Sequence, residues 1–304
     1  MLTVQLLLNG LALGAAYALC ALGFVLILNA TGAVNFAQGD MVMAGGFAAI
    51  ALATIWPVPG VALLPAVVLL TAVLGLILSV VAYFPLKSRP PVAVFISTIA
   101  VGIILQNTAN VVFGPEPRAA PPLFGGGTLR LGGIVIGGQS LAIIAVAAAL
   151  IVAQHLVFAR TQLGRHMRAT AQDRDMAEAL GVRVNAMIAL TFALATALAG
   201  AAGLLLANVF FVTPTDGSNY ILKAYIAATI GGWGRIAGAI LGAMLIAIFE
   251  VIFPALPLLI PALPASVAWL FSQTSATIVL YLALLAILFW RPQGLLGEAA
   301  QRRA

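Results

Sequence analysis

Apolar residues in this chain come in long unbroken runs, not at the periods that mark half-buried helices or strands of water-soluble folds. Residues 41–86, 90–115, 131–159, 184–215 and 251–290 contain no charged side chain. A lipid-spanning helix needs roughly 20 apolar residues. In lipid each backbone amide must bond within its own segment or within a closed barrel. A barrel would show period-two alternation, and these runs do not. The pattern therefore predicts an all-α, polytopic transmembrane helix bundle. Spanning or partly spanning segments fall near 4–28, 34–56, 61–85, 92–113, 139–158, 186–212, 219–234, 236–257 and 267–290, giving eight or nine membrane segments.

Two segments break the pattern. Residues 31–46 mix Gly, Asn35, Gln38 and Asp40 into apolar sequence, and residues 219–234 hold Lys223 and end in Gly231-Gly232-Trp233-Gly234. Only 11 uncharged residues separate Lys223 from Arg235, too few for a comfortable span. Short, glycine-interrupted segments in corresponding places of two halves point to broken helices and an internal repeat. Gly10 and Gly14, and Gly234, Gly238 and Gly242, lie four apart and predict faces of close helix packing.

Composition agrees with a lipid environment. Hydrophobic residues make up 63% of the chain and charged residues 7%, with a mean hydropathy of +1.16. Soluble domains carry about 25% charged residues. No Lys or Arg precedes Lys87, so the basic start of a signal peptide is missing and the first segment is expected to stay as a spanning helix. One cysteine (Cys20) and two histidines (His155 and His166) leave no internal disulfide and no usual zinc site. The net charge of +6 sits in short loops, as the positive-inside rule expects, and does not suggest nucleic acid.

Those loops orient the chain. Lys87 and Arg89, then Arg160 to Arg183, then Arg291, Arg302 and Arg303 form three basic stretches. Two segments separate the first from the second and four separate the second from the C-terminus, so all three fit on the cytoplasmic side. The N-terminus then lies outside, with outer loops at 57–60, 114–138, 213–218 and 258–266. The chain divides into a first half (1–158), a charged loop (159–185), a second half (186–290) and a tail (291–304), all within one transmembrane domain, 1–304.

The charged loop is the most informative stretch. Residues 160–183 hold five arginines against Asp173, Asp175 and Glu178, which is eight of the chain's 22 charged residues. Good helix formers between Gly164 and Gly181 predict one or two short surface helices, with Gly181 as the C-cap. Such a loop either anchors topology or docks a soluble partner. Asp40 and Glu250 are carboxylates inside or at the edge of apolar segments, joined by Asn35, Gln38, Gln106, Asn107 and Asn110. Polar groups at such depth usually face a water-filled path or a partner. Asp40 could instead sit in a first helical turn, where the dipole favours an anion. No Gly-x-x-x-x-Gly-Lys phosphate loop exists, so the chain cannot hydrolyse ATP by that route. It is not expected to be an enzyme or to carry a cofactor.

Several motifs resemble one family. Residues 9–49, from Asn9-Gly10-Leu11 through Asn35-Phe36-Ala37-Gln38-Gly39-Asp40, resemble the N-terminal region of LivH-type permeases, membrane subunits of bacterial ABC importers for branched-chain amino acids. Arg160-Thr161-Gln162-Leu163-Gly164-Arg165 and Ala177-Glu178-Ala179-Leu180-Gly181-Val182 are similar to that family's cytoplasmic loop. Gly231-Gly232-Trp233-Gly234 and the ending Arg291-Pro292-Gln293-Gly294 match its late segments. The resemblance implies an inner-membrane heterodimer with a LivM-like permease, two ATPase subunits that supply ATP and Mg²⁺, and a periplasmic amino-acid binding protein. It places Arg165, Arg168, Ala177, Glu178, Ala179 and Gly181 in the ATPase-coupling loop, where Glu178-Ala179-Leu180-Gly181 is a shortened form of the usual motif. Candidates for the translocation path are Asn35, Gln38, Gly39, Asp40, Asn107 and Glu250. A secondary transporter coupled through Asp40 or Glu250, a channel, and a related ABC permease for urea or short amides remain alternatives.

Overall fold

The computed structural model describes residues 2–124, 128–131, 134–260, 269–291 and 293–296. The helices are α1 (Leu2–Thr31), α2 (Gln38–Ile55), α3 (Gly60–Leu78, prolonged by tighter and wider turns to Leu86), α4 (Pro91–Phe113), α5 (Gly138–Arg160), α6 (Gln162–Gln172), α7 (Arg174–Ala179), α8 (Val184–Ala207), α9 (Gly217–Gly231), α10 (Ile236–Ile252), α11 (Leu256–Leu259) and α12 (Gln273–Trp290). Among the described residues, eight helices are long and apolar enough to cross a membrane: α1 to α5, α8, α10 with its extension, and α12. The bundle is all-α apart from a short antiparallel hairpin, β1 (Thr128–Leu131) on β2 (Ile134–Gly137), within the loop expected at 114–138. Most of the 258–266 loop, the start of the 267–290 segment, Pro292, Gly297, Arg302 and Arg303 lie outside the described residues.

Helix α1 is the centre. In its membrane window 94% of residues are buried, against 11% in α12. It packs against α10, α8, α9 and α5, so the two sequence halves interleave. In lipid, apolar surfaces gain little from one another, and close approach of backbones does the packing. Glycine provides it here. Gly10 and Gly14 face Ile248 and Met244 of α10, Gly238 faces Gly231, and Gly242 faces Ala227. Gly10, Gly14, Gly238 and Gly242 thus pack within the chain, whereas Gly234 precedes α10 with a φ of +79° beside Asn29 and is not part of that face. Between α2 and α8, Gly45 lies on Gly200 and Gly203 lies on Val42.

The segment 31–46 contains a break at 32–37, whereas 219–231 lies within one short unbroken helix, α9, and the second break precedes it at 208–216. Helix α1 ends at Thr31, followed by Gly32 with a φ of +67°. The chain then turns back into the bundle without helix and starts α2 at Gln38, whose Nε2 donates to the Ala195 carbonyl. Ala195 lies eleven residues into α8, about 16 Å at helical rise, so α2 begins well inside a core of roughly 30 Å. The second half does the same in reverse. Helix α8 stops at Ala207, short of the 212 expected, and residues 208–216 double back to start α9 at Gly217, beside Gly39 and Asp40. The two short helices run in opposite directions from a shared level, as an inverted repeat requires.

The ends sort onto two faces. Lys87 donates to Asn185, Asn29 to the Gly234 carbonyl, and Arg174 to the Ala30 carbonyl, which brings the loops that hold Lys87, Arg174 and Arg235 to one face. There Leu295 and Leu296 donate to the Ile230 and Gly231 carbonyls, sealing the end of α9, and Arg235 donates to the Leu296 carbonyl. On the opposite face Gly60 bonds Pro122, Ala120 bonds Ala207, and Arg118 pairs with Val212.

A Cβ at Gly45 would overlap the Gly200 backbone, which cannot yield as a side chain could. Gly45→Val is expected to lower stability by about 1–3 kcal/mol or more. Ile77→Ala, on the exposed face of α3, should change little. Thermal unfolding of the detergent-purified protein checks both.

Candidate functional site

At the level where α2 and α9 begin, polar side chains replace the missing helical bonds. Thr31 Oγ1 accepts from Ala33 N–H at 3.1 Å, Thr98 Oγ1 from Phe36 N–H at 3.0 Å, and Asn35 Oδ1 from Ala37 N–H at 3.2 Å. Asn35 Nδ2 reaches Gln38 Oε1 at 3.4 Å. Asp40 sits in the first turn of α2 and its carboxylate lies against Gly217 and Gly102. Two helix N-termini therefore flank it, each with a partial positive charge. Gln106 Nε2 donates to Asp40 Oδ1 at 2.8 Å. Gly39 lets α2 touch the Gly217 carbonyl, and no larger residue would fit.

Four of the six path candidates (Asn35, Gln38, Gly39 and Asp40) thus form one buried cluster. Asn107 lies outside it. Its amide donates to the Ile103 carbonyl of its own helix, on an exposed face of α4. A helix turns about 100° per residue, and that step brings Gln106, not Asn107, to Asp40.

Glu250 belongs to a second cluster. Lys223 Nζ lies 2.7 Å from Glu250 Oε1 and 2.6 Å from the Tyr17 hydroxyl. Tyr17 donates to Glu250 Oε2 at 3.1 Å, and Gln273 Nε2 donates to Oε1 at 2.9 Å. These groups line a cavity of about 530 Å³ between α1, α9, α10 and α12. Lys223 joins Glu250 because α9 and α10 run antiparallel in the register fixed by Gly231–Gly238 and Ala227–Gly242. Its side chain leans toward the start of α9, as helical side chains do. In the sequence Lys223 was only a mark of an irregular segment, since that register is a tertiary fact.

The charged loop folds as α6 and α7. Thr161 caps α6 by accepting from Gly164 N–H, and Asp173 caps α7 by accepting from Met176 N–H. Gly181 ends α7 with φ +83°, its N–H on the Glu178 carbonyl and Val182 N–H on the Ala177 carbonyl. That double closure is a Schellman motif. Met167, Thr170 and Ala177 turn inward. Arg165, Arg168, Glu178, Ala179 and Gly181 face outward, beside exposed Leu163, Met176 and Leu180. Arg174 Nη2 donates to the Ala30 carbonyl at 2.8 Å, tying this loop to the end of α1. Nothing in the sequence pairs these two residues.

The family described as branched-chain amino acid transport system / permease component matches residues 6–288. The chain is 32% identical over 308 residues to the high-affinity branched-chain amino acid transport system permease protein BraD of Pseudomonas aeruginosa, covering 97% of this chain and 96% of that protein. It is 30% identical over 310 residues to the permease proteins LivH of Salmonella typhimurium and of Escherichia coli K12, with the same coverage. This chain belongs to the branched-chain amino acid transport permease family, and it is a multi-pass membrane transport subunit.

Gln106 and Asn107 are neighbours with opposite expected effects. Gln106→Leu removes a donor from the buried Asp40 carboxylate and should cost about 1–3 kcal/mol. Asn107→Leu should stay near wild type. Chemical or thermal unfolding in detergent separates the two.

Proposed function

We propose that this chain is one of two permease subunits of an ATP-driven importer for branched-chain or other hydrophobic amino acids in a bacterial inner membrane. The observation that carries this reading is the near-full-length similarity to BraD and LivH, whose names state that transport. Lys87, Arg235 and the five arginines of the α6–α7 loop, gathered on one face, support a cytoplasmic assignment for that loop and the C-terminus, with the N-terminus periplasmic. The partners are a related LivM-like permease, two ATPase subunits that hold ATP and Mg²⁺, and a periplasmic binding protein. The chain itself hydrolyses nothing and holds no cofactor.

The loop surface suits a soluble partner. Its outward side mixes arginines, Glu178 and exposed Leu163, Met176 and Leu180, and an apolar centre with charged surroundings is how protein interfaces are built. Nucleotide-driven closure of the ATPases moves α6 and α7. Arg174 passes that displacement to the end of α1. The non-helical 32–37 segment follows, and with it the cluster of Asn35, Gln38, Gly39 and Asp40 between the two helix N-termini. A packed bundle answers such a push by switching between discrete arrangements.

The test is reconstitution of the chain with its partner subunits in proteoliposomes. ATP-dependent leucine uptake is expected. Uptake driven by an ion gradient in the chain alone, or preference for urea or a short amide, overturns the reading. Glu178→Arg should reduce co-purification of the ATPase several-fold and leave membrane insertion intact. Unchanged assembly and transport would refute the docking role. Arg174→Met is expected to keep ATPase binding and lose uptake per ATP hydrolysed, measured in the same vesicles.

A further inference from the structure

Among the described residues, the two polar clusters differ in how they meet open space. Around Asp40, Gly39, Gly102 and Gly217 pack closely, and Gln38 and Asp40 are almost completely buried, with Gln106 half-buried beside them. Around Lys223 and Glu250 the side chains retain 19% and 13% of their exposure and face the cavity of about 530 Å³. That volume is within the range of small-molecule sites.

An ion pair is a poor way to hold apolar helices together. Desolvating both charges offsets their attraction, and well-packed apolar residues would serve as well or better. Ionisable groups within membrane segments therefore call for a function. Resting on the amino-acid importer reading, we propose that Lys223 and Glu250 form a binding site for the zwitterionic end of the transported amino acid. The substrate carboxylate pairs with Lys223 and its ammonium with Glu250.

The geometry suits that exchange. A zwitterion carries both charges of the resting pair in opposite order, so it inserts with no net charge added to the site. Glu250 stays fixed when Lys223 leaves it, because Tyr17 holds Oε2 and Gln273 holds Oε1. Lys223 keeps a second partner, since its Nζ also lies 4.8 Å from the centre of the Tyr17 ring. Leu13, Leu206, Phe210 and Val251 supply apolar wall for the aliphatic side chain. The site demands both charges. An amide that lacks the carboxylate leaves Lys223 unpaired, and a fatty acid that lacks the ammonium leaves Glu250 unpaired.

The test uses the complete transporter in proteoliposomes with a photoreactive diazirine analogue of leucine. In wild type the analogue should label peptides from α1, α9 or α12, and leucine should protect them. Leucinamide and 4-methylpentanoate should not protect. Lys223→Met and Glu250→Gln should each lower uptake by roughly 30-fold or more, the loss expected when one partner of a buried charge pair is removed. The double variant Lys223→Met/Glu250→Leu, which leaves no orphan charge, should assemble and still fail to carry leucine. Wild-type uptake by the double variant, or equal protection by leucinamide or 4-methylpentanoate, overturns the site and leaves the pair as a structural brace. The protection assay needs only wild type, so it decides even where a variant does not assemble. Absence of leucine uptake in wild type instead overturns the importer reading, and the site with it.

Discussion

Lipid offers no hydrogen-bond partners, so a chain that stops being helical inside a membrane must find them within the protein. Among the described residues the chain does so between α1 and α2 and between α8 and α9. Residues 32–37 are held by the hydroxyls of Thr31 and Thr98 and by the Asn35 amide. Residues 208–216 are held by pairing of Val212 with Arg118 and by Asp216, which accepts from Thr213 N–H. Both breaks end where Gly39 meets Gly217. Bringing two helix N-termini together would repel, and the Asp40 carboxylate between them offsets that repulsion. Helices α2 and α9 diverge from this point, and the Gly231–Gly238 and Ala227–Gly242 contacts fix the register of α9 against α10. That register in turn sets Lys223 beside Glu250.

What the sequence made legible is what local chemistry decides. Charge-free runs located the spanning helices, and Gly32, Gly39 and the Gly231–Gly234 stretch marked the irregular segments. Gly181 could be read as a cap because only a left-handed residue closes a helix in that way. The extent of α8 could not be read. Nothing apolar or polar in Asn208–Val212 distinguishes a continuing helix from a chain doubling back, and the deciding partner, Arg118, is far away in sequence. The β1–β2 hairpin is a similar case, set in a loop rich in Gly and Pro that reads as irregular.

Side-chain partnerships were the least legible. Gln106 and Asn107 have equivalent chemistry, and one helical step decides which meets Asp40. Glu250 stood out as a carboxylate at depth, while its position, interior or outer edge, stayed open until Lys223 and Tyr17 were brought to it. Arg174 is one of five arginines in its loop, and its bond to the Ala30 carbonyl depends on where a helix from the other end of the chain happens to stop.

The short strap at 293–296 carries a consequence for how the protein is made. Helix α9 has only 15 residues, and its last carbonyls, at Ile230 and Gly231, are closed by Leu295 and Leu296. Those two residues leave the ribosome after α12. Until they do, the last turn of α9 lacks these two donors and its turn into α10 lacks the Leu296 carbonyl to which Arg235 donates. The second half of the bundle therefore closes the end of α9 with residues that follow α12 in the chain, and those two hydrogen bonds are the last of this face to become available during synthesis.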